Sequence, residues 1–388
     1  DCVDPYKMPG YLYQPKDYKL SLYVPFYDEE INKLDDPATA VHLGSASVVS
    51  INDEPDFISN DKPDVSIVKT APHSWMMDMT VHANLLRKQI NTPGDMTEDD
   101  TSKLNTLTWR LQWLKHKRIL LCADSVDRYM IQYFCEELGL LMKKGSQRHT
   151  TSFCHVPYLN FTMYHWHLAS YVSYRSTWWW QPQMKYITFE DRYKHIFEPT
   201  LSDVRGLDGQ APDLVMYQSG LWDQVNFSKM RKMHDKNIDL DGAVARAMTW
   251  PELRYYMARQ RQFVAQLRQI FGEDAHLMYR SLTVHREEGT QDLMLYDMDR
   301  VSRSLAHSLG IEVFDWSRIV TGHTPVFNDR VHVKKGVMSW LYMNTLLSYA
   351  FREAGGLESH GLLIRFPKFY NRTESGDPWL ECHDYALA

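Results

Sequence analysis

Lys117-Arg118-Ile119-Leu120-Leu121-Cys122-Ala123-Asp124-Ser125 is the stretch that decides how this chain folds. Residues 118–122 are a short apolar run without polar alternation, which predicts a strand buried on both faces, as in a parallel sheet. Immediately afterwards Val126, Met130, Tyr133, Phe134 and Leu138 recur at helical spacing, and Gly139 is a natural helix stop. A strand running straight into a helix leaves Ser125 at the strand's C-terminal end and at the helix's N-terminus. In open α/β sheets ligands bind outside those strand ends, and helix N-terminal amides favour developing negative charge.

The same scheme repeats downstream. Residues 213–217 read as a second strand, running into the turn-forming stretch Gln218-Ser219-Gly220-Leu221-Trp222-Asp223 at the same sheet edge. Thr249-Trp250-Pro251-Glu252 is a capping box for a long helix ending near Gly272. Strands are expected at 276–280 and 311–315, and helices at 293–309, stopped by Gly310, and at 337–351. The expected fold is α/β: a three-layer αβα sandwich with a central, mostly parallel sheet. Residues 1–108 are rich in Pro, Asp and Asn and carry little periodicity, so they are expected to form an irregular region wrapping a domain that spans 109–388.

With 388 residues, 44% of them hydrophobic, the chain can bury a large core as one big domain or two smaller ones. A net charge of −6 without long basic tracts argues against nucleic-acid partners. No run approaches the roughly 18 apolar residues of a membrane-spanning helix, so no membrane insertion is expected. Asp1-Cys2-Val3-Asp4 lacks a signal pattern, which is compatible with a mature or trimmed form whose signal or N-terminal anchor was removed, an alternative the sequence leaves open. Three N-x-S/T triplets, at Asn160, Asn226 and Asn371, point to a secreted protein or the lumen of the secretory pathway. The five cysteines contain no C-x-x-C pair; Cys122, inside the apolar run, reads as the free thiol. Cys2 with Cys382 and Cys135 with Cys154 are candidate bridges, with connectivity left open by the sequence.

Chemistry enters through Ser125 and the late segment Asp329-Arg330-Val331-His332. A serine hydroxyl is a weak nucleophile until an imidazole takes its proton, and that imidazole needs a carboxylate to orient it. Asp329 and His332 can share this work on one turn, which points to acyl transfer through a serine ester. Each segment also has a plainer reading: an Asp after a strand is usually a helix cap, and a D-x-x-H turn can be purely local. His165-Trp166-His167, with His149 or His155, offers imidazoles without a Cys, Asp or Glu to complete a familiar metal spacing, so no metal or other cofactor is expected. Trp178-Trp179-Trp180 suits either a sugar-stacking platform or a core anchor. Arg280, at a strand end, suits either a substrate oxygen or a structural salt bridge.

Taken in order, residues 117–125, Ser219-Gly220-Leu221-Trp222-Asp223, Phe314-Asp315-Trp316 and Asp329-Arg330-Val331-His332 resemble the GDSL or SGNH hydrolase superfamily. The likeness is greater to its PC-esterase branch, which includes the plant trichome-birefringence-like polysaccharide O-acetyltransferases. It runs from about Trp109 to Tyr349. The resemblance implies Ser125 as nucleophile, His332 as general base and then acid, and Asp329 as orienting carboxylate. Oxyanion donors are then expected from the Ser125 amide and the Gln218 to Gly220 turn, although the family more often has Asn where Gln218 stands. Trp222, Asp223 and Arg280 join Gln218 and Gly220 as the oxyanion and substrate-binding set, and Asp124 braces the loop. Ala123 stands where the family has Gly, so either the turn accepts a methyl group or the site has decayed. The expected function is a serine-dependent O-acyl esterase, O-acetyl foremost, acting on a carbohydrate or polysaccharide. A polysaccharide O-acetyltransferase using the same triad and a catalytically weakened glycan-binding protein are the alternatives.

Overall fold

The computed structural model describes residues 10–13, 22–25, 74–145, 149–172, 186–206, 209–237, 246–283, 293–320, 327–329 and 331–353. They belong to two compact units, one drawn from Asp1–Trp113 and Lys335–Ala388, the other from Leu114–Lys334.

In the first unit, β1 (Gly10–Tyr13) pairs antiparallel with β2 (Leu22–Pro25). Helix α1 (Trp75–Asn91) starts at Ser74, whose hydroxyl accepts the Met77 amide, and α2 (Glu98–Arg110) starts in a reciprocal capping box between Thr97 and Asp100. Leu85, Leu104 and Leu107 close the seam between them. Trp75 packs against Trp113 at 5.1 Å and against Phe351, from the helix Val337–Glu353, at 4.7 Å. The irregular reading of 1–108 is therefore corrected for 74–108, where helix caps and buried apolar positions outweigh the local Asp and Asn content. The expected boundary at 108/109 is also displaced: the units divide at 113/114 and again at 334/335, and the helix Val337–Glu353 belongs with the N-terminal helices.

The second unit is built on a seven-stranded sheet in the order β4-β5-β6-β3-β7-β8-β9. Its strands are β3 (Arg118–Ala123), β4 (Lys143–Lys144), β5 (Thr151–Val156), β6 (Phe161–His167), β7 (Leu214–Tyr217), β8 (Leu277–Arg280) and β9 (Glu312–Phe314). Strands β6, β3, β7, β8 and β9 run parallel, while β4 and β5 form an antiparallel edge. Five helices matter for this unit and the site: α3 (Ser125–Glu137), α4 (Leu221–His234), α5 (Trp250–Phe271), α6 (Leu293–Ser308) and the short Trp316–Val320.

Alternation along β3 divides its side chains between two layers. Leu120 and Cys122 join Val215, Tyr217, Leu277 and Tyr279 in a core completed by Tyr256, Phe263 and Leu267 of α5 and Met294 and Met298 of α6. On the other side α3 lies along β3, β5 and β6, with Phe134 meeting Phe161 at 6.3 Å. This is the expected three-layer α/β sandwich. Its order reverses at β3: the chain first builds β4 to β6 on one flank, then β7 to β9 on the other. The C-terminal end of β3 is thus the topological switch point, where such sheets open a crevice. Among the described residues, no helix is long and apolar enough to cross a membrane.

Candidate active site

Ser125 is placed by the strand-to-helix transition itself. Ala123 ends β3 opposite His167, and Asp124 caps α3 by accepting the Val126 amide at 2.8 Å. Ser125 follows as the first helical residue, half-buried at the switch point. Ala123 is not among the residues with positive φ, so its methyl group meets no backbone conflict in this turn.

The imidazole arrives on a short loop closed by the bridge Phe327–Val333 and by the Asn328 amide donating to the His332 carbonyl at 2.7 Å. Asp329 Oδ1 accepts the amides of Val331 and His332, both at 2.9 Å, folding the loop around its own carboxylate. His332 Nδ1 lies 2.8 Å from Asp329 Oδ2, and His332 Nε2 lies 2.8 Å from Ser125 Oγ. Because the carboxylate can only accept, Nδ1 carries the proton and Nε2 presents its lone pair to the serine hydroxyl. Partial burial opposes ionisation of Asp329, but the Val331 and His332 amides and the His332 ring outweigh it and hold the carboxyl below its usual range.

Tyr129, one helical turn after Ser125, brings its ring to 4.8 Å from the His332 ring in an edge-on contact. The Arg128 guanidinium covers Tyr129 at 4.5 Å and Tyr133 stacks on it at 6.0 Å. Neither the motif reading nor composition singled out Tyr129, although its i+4 spacing from Ser125 puts it on the same face of α3.

The residues after β7 sit beside Ser125 because the Gln218 amide donates to the Cys122 carbonyl at 3.1 Å. The Gln218 side chain is fully buried, and both of its amide atoms lack a hydrogen-bond partner among the described residues. Gly220 is required by close approach: a methyl group there would collide with the branched end of buried Leu282.

Trp222 is half-exposed, with its ring 6.2 Å from His167. Asp223 and Arg280 have a different setting from the substrate-binding one expected of them, since both are fully buried. Asp223 accepts the Val172 amide at 2.9 Å and the Ser219 hydroxyl, clamping the loop after β7 to the loop after β6. Burial pushes its carboxyl up to about 7, against the pull of the Ser219, Val172, Tyr171 and Ser170 donors. Arg280 takes the salt-bridge alternative, pairing with Asp127 at 2.6 Å and lying 3.9 Å from Asp124.

His165 Nε2 donates to the Asp124 carbonyl at 2.9 Å, and burial drives this imidazole down to about 4, so it is a neutral brace under the loop. His167 is likewise held well below its usual value, by burial first and then by the nearby Arg192. Among the described residues, no group of three or more His, Cys, Asp or Glu side chains is arranged to hold a metal ion. Trp178, Trp179 and Trp180 lie outside the described residues.

Cys135, near the end of α3, is bonded to Cys154 of β5, and Cys122 is a free, buried thiol, both as expected. Cys2 and Cys382 lie outside the described residues. Of the three glycosylation triplets, Asn226 is excluded: it is buried in α4, with its amide donating to Ser170 at 2.9 Å. Asn160 stands half-exposed at the turn between β5 and β6, and Asn371 lies outside the described residues.

No family model matches this chain, and no curated protein matches it. Among solved structures, an acetylxylan esterase from Geobacillus stearothermophilus is similar at 14% identity, covering 63% of this chain and 96% of that one, with a TM-score of 0.34. A GDSL-like lipase from Bacteroides thetaiotaomicron is similar at 10% identity, covering 70% of this chain and 99% of that one, with a TM-score of 0.33. Likenesses this slight carry no argument about activity.

Proposed function

We propose that this protein is a serine-dependent carbohydrate O-acyl esterase, acting foremost on O-acetyl groups, with an acyl-enzyme on Ser125. The observation that carries the proposal is the continuous chain from Ser125 Oγ through His332 to Asp329, 2.8 Å at each step, at the sheet's switch point. Ser125 Oγ attacks the ester carbonyl while His332 Nε2 takes its proton, and Asp329 stabilises the imidazolium. The oxyanion is met by the Ser125 amide at the start of α3 and by the Gln218 to Gly220 turn beside it. Collapse returns the proton from His332 to the departing sugar oxygen and leaves the acyl group on Ser125. Water then attacks that ester with His332 as base, releasing the acid and the free serine.

The carbohydrate assignment rests on the resemblance carried by the sequence motifs. A sugar hydroxyl in place of water would make the same acyl-enzyme an O-acetyltransferase. The unstrained turn at Ala123 weighs against a decayed, glycan-binding site. The Cys135–Cys154 bridge supports a secretory-pathway location, because disulfides persist in oxidising compartments.

The test is turnover of an activated acetyl ester by the wild type and by Ser125→Ala, with trapping of Ser125 by a serine-directed phosphonate. Equal rates in the two proteins refute Ser125 as nucleophile. Mass spectrometry of an acetylated oligosaccharide, and of an unacetylated one given an acetyl donor, separates deacetylation from transfer.

A further inference from the structure

We infer that Arg280 and Asp127 are positioning residues for the nucleophile: the pair fixes the first turn of α3 and balances the charge buried beneath Ser125. The inference rests on Ser125 being the nucleophile. Arg280 ends β8, Asp127 lies two residues beyond Ser125, and both are completely buried, so neither contacts a substrate. Their 2.6 Å ion pair joins residues 153 positions apart. The same guanidinium donates to the Ser281 carbonyl at 2.8 Å and to the Thr283 hydroxyl at 3.0 Å, which locks it to the loop after β8. On the other side of Ser125, Asp124 is also fully buried, and its Oδ2 has no hydrogen-bond partner among the described residues. Among the described residues, two buried carboxylates thus bracket the serine, and the buried Arg280 guanidinium answers them.

A tie serving only to hold helix to sheet has no need of buried charge, since apolar residues of equal volume do that as well or better. The charges matter because an oxyanion and an imidazolium must form within a turn of them. Burial raises the Asp124 carboxyl; Asp127 adds to that rise, while Arg280 opposes it, as do the Val126 amide and His332. Among the described residues, the other groups facing this region are Asp329 on the base's own loop, Arg128, Tyr129 and Tyr133 on α3, and neutral His165 on β6. Losing Arg280 turns two carboxylates against the oxyanion and favours the imidazolium. Losing Asp127 does the reverse.

The experiment measures kcat, KM and the pH–rate profile on an activated acetyl ester for Arg280→Gln, Asp127→Asn, the double variant and Arg280→Lys. Arg280→Gln is expected to lower kcat on the order of 10- to 100-fold with KM little changed, and to move the acid limb up by roughly one pH unit. Asp127→Asn moves that limb down. The double variant brings it back towards the wild type, and Arg280→Lys, which keeps the charge, leaves it near the wild-type position. If Arg280→Gln fails to fold, the charge effect is read from the downward shift of Asp127→Asn against the unshifted profile of Arg280→Lys. Folded Arg280→Gln and Asp127→Asn variants whose profiles superimpose on the wild type overturn the inference alone. A wild type without Ser125-dependent turnover sinks the functional reading and this inference together.

Discussion

Replacing Asp329 by Asn tests the site at its most sensitive bond. Asp329 does two jobs with two oxygens: Oδ1 accepts the Val331 and His332 amides, each at 2.9 Å, and Oδ2 faces His332 Nδ1 at 2.8 Å. Asn keeps an oxygen for the amides, so the turn survives, but it puts an NH2 group where Oδ2 stood. Two donors cannot face each other, so His332 must shift its ring proton to Nε2, and Nε2 then no longer accepts from Ser125. Wrong-tautomer substitution in a serine triad costs about 10⁴ in kcat. Asp329 is 51% exposed, and water can partly replace it, so the loss expected here is roughly 10³, or about 4 kcal/mol of barrier. Steady-state kinetics on an activated acetyl ester reads this directly, with KM expected to change little. Thermal unfolding should stay within about 1 kcal/mol of the wild type, because the turn keeps its amide acceptor. An Asn variant with near-wild-type kcat would falsify the proton-transfer geometry.

Other consequences can be checked on stability alone. Asp223 has a folded pKa of about 7 against an ordinary value of 3.8, so its contribution to stability is full below about pH 4 and is lost as pH rises through about 7. Urea unfolding at several pH values should show this slope, and Asp223→Asn should flatten it; a slope unchanged by the substitution contradicts the assignment. Gly220→Ala should cost roughly 1–3 kcal/mol through collision with Leu282, read as a lower urea midpoint at constant m-value. Breaking the Cys135–Cys154 bond, whose partners are 19 residues apart, by paired substitution to Ala should cost about 3 kcal/mol in the same assay. A midpoint indistinguishable from the wild type would assign that bond no thermodynamic role.

The sheet's central strands were legible because their residues need no partner to declare themselves. Ile119 to Cys122 and Leu214 to Tyr217 are apolar on both faces, and both became parallel strands within a residue of the expected limits. The flank from β4 to β6 was hidden by its own composition. In β6, His165 and His167 sit at buried positions, so the strand reads as a possible imidazole cluster when its histidines are held neutral by the interior. Helix α4 was hidden in a similar way: Asp223, Gln224, Asn226 and Ser228 are polar yet buried, and only tertiary partners such as Val172 and Ser170 explain them. At the site, sequence named Ser125, Asp329 and His332, and the structure brings them into hydrogen-bond reach. It could not foresee that Arg280 is spent on Asp127, because a strand-end arginine looks the same whether it faces a crevice or an interior. Charge pairs separated by 153 residues leave no local pattern.

The orienting carboxylate and the base share one loop closed by Phe327 and Val333, and the Asp329 carboxylate ties itself to the Val331 and His332 amides. Displacing that loop leaves Asp329 and His332 still coupled, with the ring proton still on Nδ1. The buried ends Phe327 and Val333 anchor the loop, and it meets α3 through the hydrogen bond to Ser125 and the edge-on contact to Tyr129. A shift of about 1 Å at this joint is enough to idle such chemistry.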